Sequence, residues 1–246
     1  MSSYDTLAQC YDSLTVDVDY EGWADYIESV FSSLPKKVNT VLELACGTGS
    51  LACILSQRGY DVIGVDKSEE MLAEAYNKAL KLDKNCPLFL EQAMEELDLY
   101  GTVDAAICCL DSINYLTDRD SLMEAFNRVH TFLEPGGLFL FDINSPEKFA
   151  AMDGEIYMDE TDDVCCIWRV DVDNWLCTYC MDIFRLKGKL WERTTEIHEE
   201  RVYSKDEISE MLIKAGFVNI RIFGDRTLEP PEDGELRLFF AARKEE

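Results

Sequence analysis

The sequence predicts an α/β fold, a mostly parallel sheet covered by helices and interrupted by a small antiparallel β insertion. Three observations carry this expectation. Up to about residue 145, short apolar runs alternate with segments of helix length. From about 164 to 203, three strand-like segments follow one another with no helix between them. The α/β pattern then resumes and closes on two strands joined by a loop, which implies an antiparallel pair at the end of the sheet.

Each element has a local signal. Residues 38–45 are a short apolar run, read as a buried strand. Residues 50–58 carry Leu51, Ile54 and Leu55 at helical spacing and end at Gly59. Residues 61–66 form a second strand. Ser68 is an N-cap, with Glu69 and Glu70 in the first turn of a helix running to about 82. Residues 87–91 and 103–110 are the third and fourth strands, the latter apolar throughout and therefore central. A helix over 118–133 aligns Leu122, Phe126, Val129 and Leu133, and Pro135-Gly136-Gly137 turns into a fifth strand at 138–143. The inserted strands are expected at 164–172, 175–186 and 190–203, with turns at Asp173-Asn174 and Lys187-Gly188-Lys189. Their alternation gives one apolar face, with Val164, Cys166, Trp168 and Val170 on the first strand and Trp175, Cys177, Tyr179 and Met181 on the second. A helix at 204–215 stops at Gly216, and strands at 217–223 and 235–243 flank a Pro230-Pro231 loop.

Composition narrows the function classes. Asp and Glu number 49 against 23 Lys and Arg, a net charge of -26. Such a field repels a polyanion, and no basic cluster offsets it. The same field suits a solubilising surface or a cationic ligand. The ten cysteines are too few for a disulfide scaffold. Buried, reduced thiols are expected, and Cys177 and Cys180, three apart on one strand, point to opposite faces. Neither histidine, His130 nor His198, has metal-site spacing. No basic leader precedes an apolar stretch, and no apolar run approaches membrane length, so a cytoplasmic protein without a membrane or metal partner is expected.

The chemistry concentrates in Glu43-Leu44-Ala45-Cys46-Gly47-Thr48-Gly49-Ser50, where the first strand turns into the first helix. Gly47 and Gly49 allow a sharp turn and close approach of a ligand. Asp66, at the tip of the second strand, is placed to accept the hydroxyls of a ribose. Strand, glycine turn, helix, strand and acid together describe a nucleoside-cofactor site. Gly47-x-Gly49-x-x-Ala52 also fits a dinucleotide fingerprint, which leaves an NAD(P)-dependent oxidoreductase as an alternative. A carboxylate at Glu43 repels a pyrophosphate but suits the amino group of a methionine moiety. The nearly forty residues before the first strand and the terminal antiparallel pair also favour S-adenosylmethionine.

These residues resemble motif I of the class I S-adenosylmethionine-dependent methyltransferases. The resemblance continues through Val65-Asp66-Lys67-Ser68-x-x-Met71-Leu72, Asp104–Leu110 and Pro135-Gly136-Gly137-Leu138. It implies a seven-stranded, mostly parallel Rossmann-like sheet with its last strand antiparallel. The main domain would comprise 1–145 and 204–246, with a lid at 1–34, and 146–203 would be an inserted substrate-binding β cap. By position, Glu43 would meet the methionine end of the cofactor, Gly47 would lie beneath it and Asp66 would hold the ribose, with Ala45 and Gly49 also at the cofactor site. Lys67 and Met71 would frame the adenine, and Leu110 would approach the sulfonium. Gln92-Ala93-Met94 departs from the family pattern, since Ala93 stands where an Asp often contacts adenine; backbone groups or Gln92 would take over.

The opening segment, with Tyr4, Tyr11, Asp12, Tyr20 and Trp23, resembles the lid of small-molecule members, which implies that Tyr11 and Trp23 bind the cofactor. The alternative is an amphipathic helix packing its aromatics on the core. Asn114 and Tyr115, after the fourth strand, are expected to face the acceptor. His198 shares a polar strand face with Thr194, Glu196 and Glu200; it is either part of a solvated surface or a general base. The implied activity is methyl transfer to a small molecule, with a non-catalytic cofactor-binding module as the other reading.

The acidity carries a direct expectation. Mobility-shift assays at low salt should show no complex with DNA or RNA at micromolar protein. A salt-sensitive complex would mean that a local basic surface outweighs the global field.

Overall fold

The computed structural model describes residues 7–246; Tyr4 of the expected lid lies outside the described residues. Helix α1 (Tyr11–Leu14) and helix α2 (Tyr20–Ser32) come first among the described residues. The α/β unit follows as β1 (Thr40–Leu44), α3 (Ser50–Gln57), β2 (Asp61–Asp66), α4 (Glu69–Ala79), β3 (Leu88–Glu91), β4 (Val103–Cys108), α5 (Arg119–Phe132) and β5 (Leu133–Asn144). Helix α6 (Pro146–Met152) leads into β6 (Ile156–Glu160), β7 (Val164–Asp173), β8 (Leu176–Lys187) and β9 (Leu190–Arg201). Helix α7 (Lys205–Lys214), β10 (Val218–Phe223) and β11 (Arg237–Arg243) complete it.

The large sheet has seven strands in the order β10-β11-β5-β4-β1-β2-β3. All its neighbours pair in parallel except β11, which inserts antiparallel between β10 and β5. Two apolar layers explain why this sheet is covered twice. On one face α2, α3 and α4 bring Ile27, Phe31, Leu55, Leu72 and Ala75 onto Val41, Ile107 and Leu140. On the other, α5 and α7 bring Phe126, Val129, Ile208 and Leu212 onto Leu42, Ala106, Phe139 and Phe141. Strands buried on both sides read as continuous apolar runs, which is why β4 and β5 were legible.

Helix starts follow side-chain caps. Ser68 accepts from Met71 N–H at 3.2 Å, Asp118 from Ser121 N–H at 2.9 Å, and Ser204 from Glu207 N–H at 3.2 Å. Each such cap contributes about 1 kcal/mol. Strand β5 begins at Leu133, earlier than expected, because Leu133 pairs with Val103 ahead of an irregularity at the glycine pair.

The second sheet is antiparallel, in the order β6-β7-β8-β9, and among the described residues shares no ladder with the first. It has one strand more than expected. Strand β6 escaped notice because four of its five residues are exposed, so no apolar alternation marks it. The β7–β8 turn sits at Asn174-Trp175, one residue later than read from sequence. Both residues have positive φ, 45° and 69°, as a two-residue hairpin of matching twist requires. Trp175 is consequently exposed rather than on the apolar face. That face, with Cys166, Val170, Cys177, Tyr179 and Met181, packs on Leu7, Cys10 and Phe149 from the N-terminal segment and α6.

The expected alternative for the N-terminal aromatics applies to Trp23 on α2. Trp23 is buried with its ring 5.3 Å from Phe239, under the guanidinium groups of Arg226 and Arg237. It is a core residue of the main domain, and its assignment as a cofactor-facing lid residue is corrected.

Gly49 is also a packing residue. Its φ is +69°, and an added Cβ would meet the Phe89 ring at 2.7 Å and Ala75 Cβ at 2.9 Å. Gly49→Ala should therefore destabilise the fold by roughly 1–3 kcal/mol, from overpacking and a left-handed backbone. Urea unfolding measures this; an unchanged midpoint would contradict the packing.

Candidate functional site

The carboxyl ends of β1, β2 and β4 open into a cavity of about 390 Å³, and the same cavity is walled by the inserted sheet. The chain leaves these strands under backbone strain. Ala45 and Gly47 after β1, and Leu110 and Asp111 after β4, all have φ between 49° and 58°. Non-glycine residues held left-handed cost of order 1–2 kcal/mol each and cluster where a site over-determines them.

Asp66 organises the first half. One carboxylate oxygen accepts from Gly47 N–H at 2.8 Å, the other from Ser68 N–H at 2.9 Å. Burial pushes its carboxyl up while these two donors pull it down. An added Cβ at Gly47 would meet nothing within 4 Å, so the backbone there lies open to the cavity. Glu43 stands deeper, 4% exposed, and its Oε2 has no hydrogen-bond partner among the described residues. Burial first, and the nearby Asp66 charge second, push its carboxyl up to about 8, with Lys78 opposing. An orphaned buried acceptor beside an open glycine backbone fits a ligand that brings its own cationic donor.

Ala45, Lys67, Met71, Ala93, Met94 and Leu110 line this cavity, as does Gln92. The Gln92 amide is already committed, since Nε2 donates to Asp98 O and Oε1 accepts from Asp98 N–H, both at 3.0 Å. Its side chain is therefore spent on the loop. Gly49 does not line the cavity, for the packing reason given above.

The N-terminal segment closes one side. Tyr11, Thr15, Val18 and Tyr20 are on the wall. Asp12 fastens it, accepting from Thr48 Oγ1 at 2.6 Å and pairing with Lys78 Nζ at 2.8 Å. Lys78 also donates to Thr48 and Ser50 hydroxyls at the start of α3.

The far half is a buried polar network. Arg237 pairs with Asp111 Oδ1 at 2.7 Å and with Asp142, which itself accepts from Asp111 N–H at 2.9 Å. Burial pushes fully enclosed Asp142 up to about 6, with Arg237 pulling it down. Asn144 donates to Glu200 at 3.3 Å and accepts from Lys148 Nζ at 2.8 Å. Asp111, Tyr115, Asn144, Lys148, Glu200 and Arg237 reach the cavity.

Two sequence expectations change here. Asn114 is fully buried and off the wall; it donates to Arg201 O and accepts from Asn144 N–H, stapling β9 to the end of β5. The Glu196, His198 and Glu200 face is the buried face of β9, not a solvated one, because β9 turns it towards the interior. His198 is 2% exposed and is not on the cavity wall; its Nε2 lies 3.1 Å from Glu196 Oε2, and its ring stands edge-on to Tyr115 at 6.2 Å. Arg237, Asn144, Lys148 and the cavity-facing role of Glu200 were missed. The signal available was Asp142, a charge inside the apolar run Leu138–Ile143 at the same strand end as Asp66.

No helix among the described residues is long and apolar enough to cross a membrane. A family model described as a methyltransferase domain matches residues 41–137. The chain is 36% identical over 246 residues to a putative methyltransferase, YqeM, of Bacillus subtilis (strain 168), covering 98% of this chain and 97% of that one. It is similar to the crystal structure of an S-adenosylmethionine-dependent methyltransferase from Clostridium acetobutylicum ATCC 824, with a TM-score of 0.88 at 30% identity over 99% of each chain. It shares its fold with the sugar N-methyltransferase KedS8 from Streptoalloteichus sp ATCC 53650, at a TM-score of 0.81 and 23% identity, covering 96% of this chain and 93% of that one.

Glu43 gives the site a pH signature. A folded-state carboxyl raised from about 4.5 to about 8 binds a proton that the unfolded chain has released, so its contribution to stability is lost as pH rises across that window. Glu43→Gln should flatten the dependence and be the more stable form above pH 8 by roughly 2–5 kcal/mol. Urea midpoints at pH 5 and pH 9 test this; parallel pH dependences in the two proteins would contradict it.

Proposed function

Because the chain belongs to the class I S-adenosylmethionine-dependent methyltransferases, we propose that it methylates a small molecule held between the cofactor and the inserted sheet. The observation that carries this reading is the single cavity lined both by Gly47 and Asp66 and by Trp168, Tyr179, Met181 and Glu200 of β7–β9. Its volume, about 390 Å³, lies in the range of small-ligand sites.

Bound S-adenosylmethionine supplies an electrophilic methyl on a sulfonium that is already a good leaving group. The chain's own residues position the reactants and exclude water. Asp66 would take the ribose hydroxyls while keeping Gly47 in place. Glu43 would meet the amino group of the methionine end and ionise as it does so. Lys67, Met71 and the Ala93–Met94 backbone would frame the adenine, and Leu110 would bring the strained turn after β4 against the sulfonium end. Tyr11 would cover the cofactor, held down by Asp12 on Thr48 and Lys78. Tyr115 would touch the acceptor. His198, behind Tyr115, would act as a positioning residue for that ring rather than as a base on the acceptor.

Two measurements test this. With labelled methyl cofactor and a bacterial lysate separated by size, label should enter the low-mass fraction; label confined to protein or RNA would overturn the small-molecule reading. Asp66→Ala should weaken cofactor binding by about 1.5–3 kcal/mol, the scale of hydrogen bonds to a charged group. Unchanged affinity by calorimetry in the folded variant would remove Asp66 from the ribose.

A further inference from the structure

The acceptor half of the chamber holds more carboxylate than its cations neutralise. Three carboxylates, Asp111, Asp142 and Glu200, stand there against two cations: Arg237 gives both terminal nitrogens to Asp111 and Asp142, and Lys148 donates to the neutral Asn144 amide and keeps its charge. Glu200 remains. It is 2% exposed, yet it reaches the cavity and receives one hydrogen bond among the described residues, from Asn144 Nδ2 at 3.3 Å. One long contact from a neutral amide compensates poorly for a carboxylate taken out of water. Tyr179, two residues along β8 from the ladder partner of Glu200, stands edge-to-face with Trp168 of β7, centroids 6.5 Å apart, and both rings also line the cavity. An aromatic ring next to a buried anion, with a second ring on the same cavity wall, forms a surface that attracts a cation.

We propose that the acceptor is an amine bearing an N–H, which binds as an ammonium paired to Glu200 and gives Glu200 its proton before methylation. This rests on the reading of the cavity as a methyl-acceptor chamber. A neutral alcohol offers Glu200 a hydrogen bond but no charge, and a carboxylate or phosphate meets Asp111 and Glu200 as like charges.

The step balances. One ammonium proton passes to a Glu200 oxygen. The freed nitrogen pair bonds to the methyl carbon while the carbon–sulfur bond breaks and its electrons stay on sulfur. The products are a protonated N-methylamine, S-adenosylhomocysteine and a neutral Glu200, which later returns its proton to solvent. Burial and the Asp111 charge push the Glu200 carboxyl up, against Asn144, Lys148 and Arg237; an ammonium beside it favours the ionised form, and the proton taken from the amine returns it to the neutral form that burial favours. Cys177, paired across the ladder with Glu200, and Tyr179 face it from β8, and both are themselves raised by burial and neutral.

The test uses the low-mass filtrate of a bacterial lysate, with half of it treated with a succinimidyl acetate to cap primary and secondary amines. Labelled methyl should pass into the untreated filtrate and not into the capped one. Transfer that survives capping overturns the amine while leaving the methyltransferase reading intact. Label in neither filtrate, from protein that binds S-adenosylhomocysteine, overturns the small-molecule reading and this inference with it. Against the labelled acceptor, Glu200→Gln should lose about 100-fold in kcat/KM, the scale of a removed general base. Its rate should then climb with pH along the ionisation of the amine itself, and its S-adenosylhomocysteine affinity should be unchanged. A Glu200→Gln enzyme with wild-type turnover and pH profile overturns the role of Glu200.

Discussion

The carboxylate of Asp66, bonded to the backbone of Gly47 and of Ser68, is the contact on which the proposed cofactor half depends. Adjacent parallel strands end at the same edge, but nothing in the ladder dictates how the chain leaves them. Asp66 ties the exit of β1 to that of β2, so the left-handed turn at Ala45 and Gly47 is held rather than merely allowed. The start of α3 follows from that turn, with Gly49 seated against Phe89 and Ala75. Thr48 then becomes the anchor for Asp12, and through it for the N-terminal segment. Local strain, helix position and the covering segment are thus successive consequences of two hydrogen bonds.

The other half of the chamber is organised by charge rather than by strain. Asp111, Asp142 and Arg237 form a bonded set in which each anion shares one guanidinium. Breaking one member of such a set leaves a buried charge without compensation, which is costlier than never having had the set. The arrangement therefore rigidifies the ends of β4, β5 and β11 together. Glu200 lies outside the bonded set and beside it, which distinguishes a carboxylate that maintains the wall from one that faces the space within.

Much of the sheet was legible because its signals are local. Asp66 ends β2, Ser68 caps α4 and Leu122, Phe126 and Val129 mark α5, all within a few residues of the feature they specify. The glycine turn, with Glu43 and Asp66 around it, was legible for the same reason. What the sequence hid depends on contacts between distant segments. Arg237 meets Asp111 across 126 positions, and Asn114 meets Arg201 across 87. His198 and Trp23 were misplaced because a strand face or helix face is assigned by pattern, whereas its inward side is decided by what packs upon it. Strand β6 lacked even a pattern, being an exposed edge.

The separation of the two ladders has an evolutionary consequence. Among the described residues, no backbone hydrogen bond of the seven-stranded sheet runs into the four-stranded one. On the proposed assignment, the first holds the methyl donor and the second supplies much of the wall around the methyl recipient. Substitutions along β7 to β9 can then drift, and recruit new recipients, without disturbing the register or the strained turns that grip the donor. A lineage built this way diversifies by rewriting one wall of a room whose foundation stays fixed.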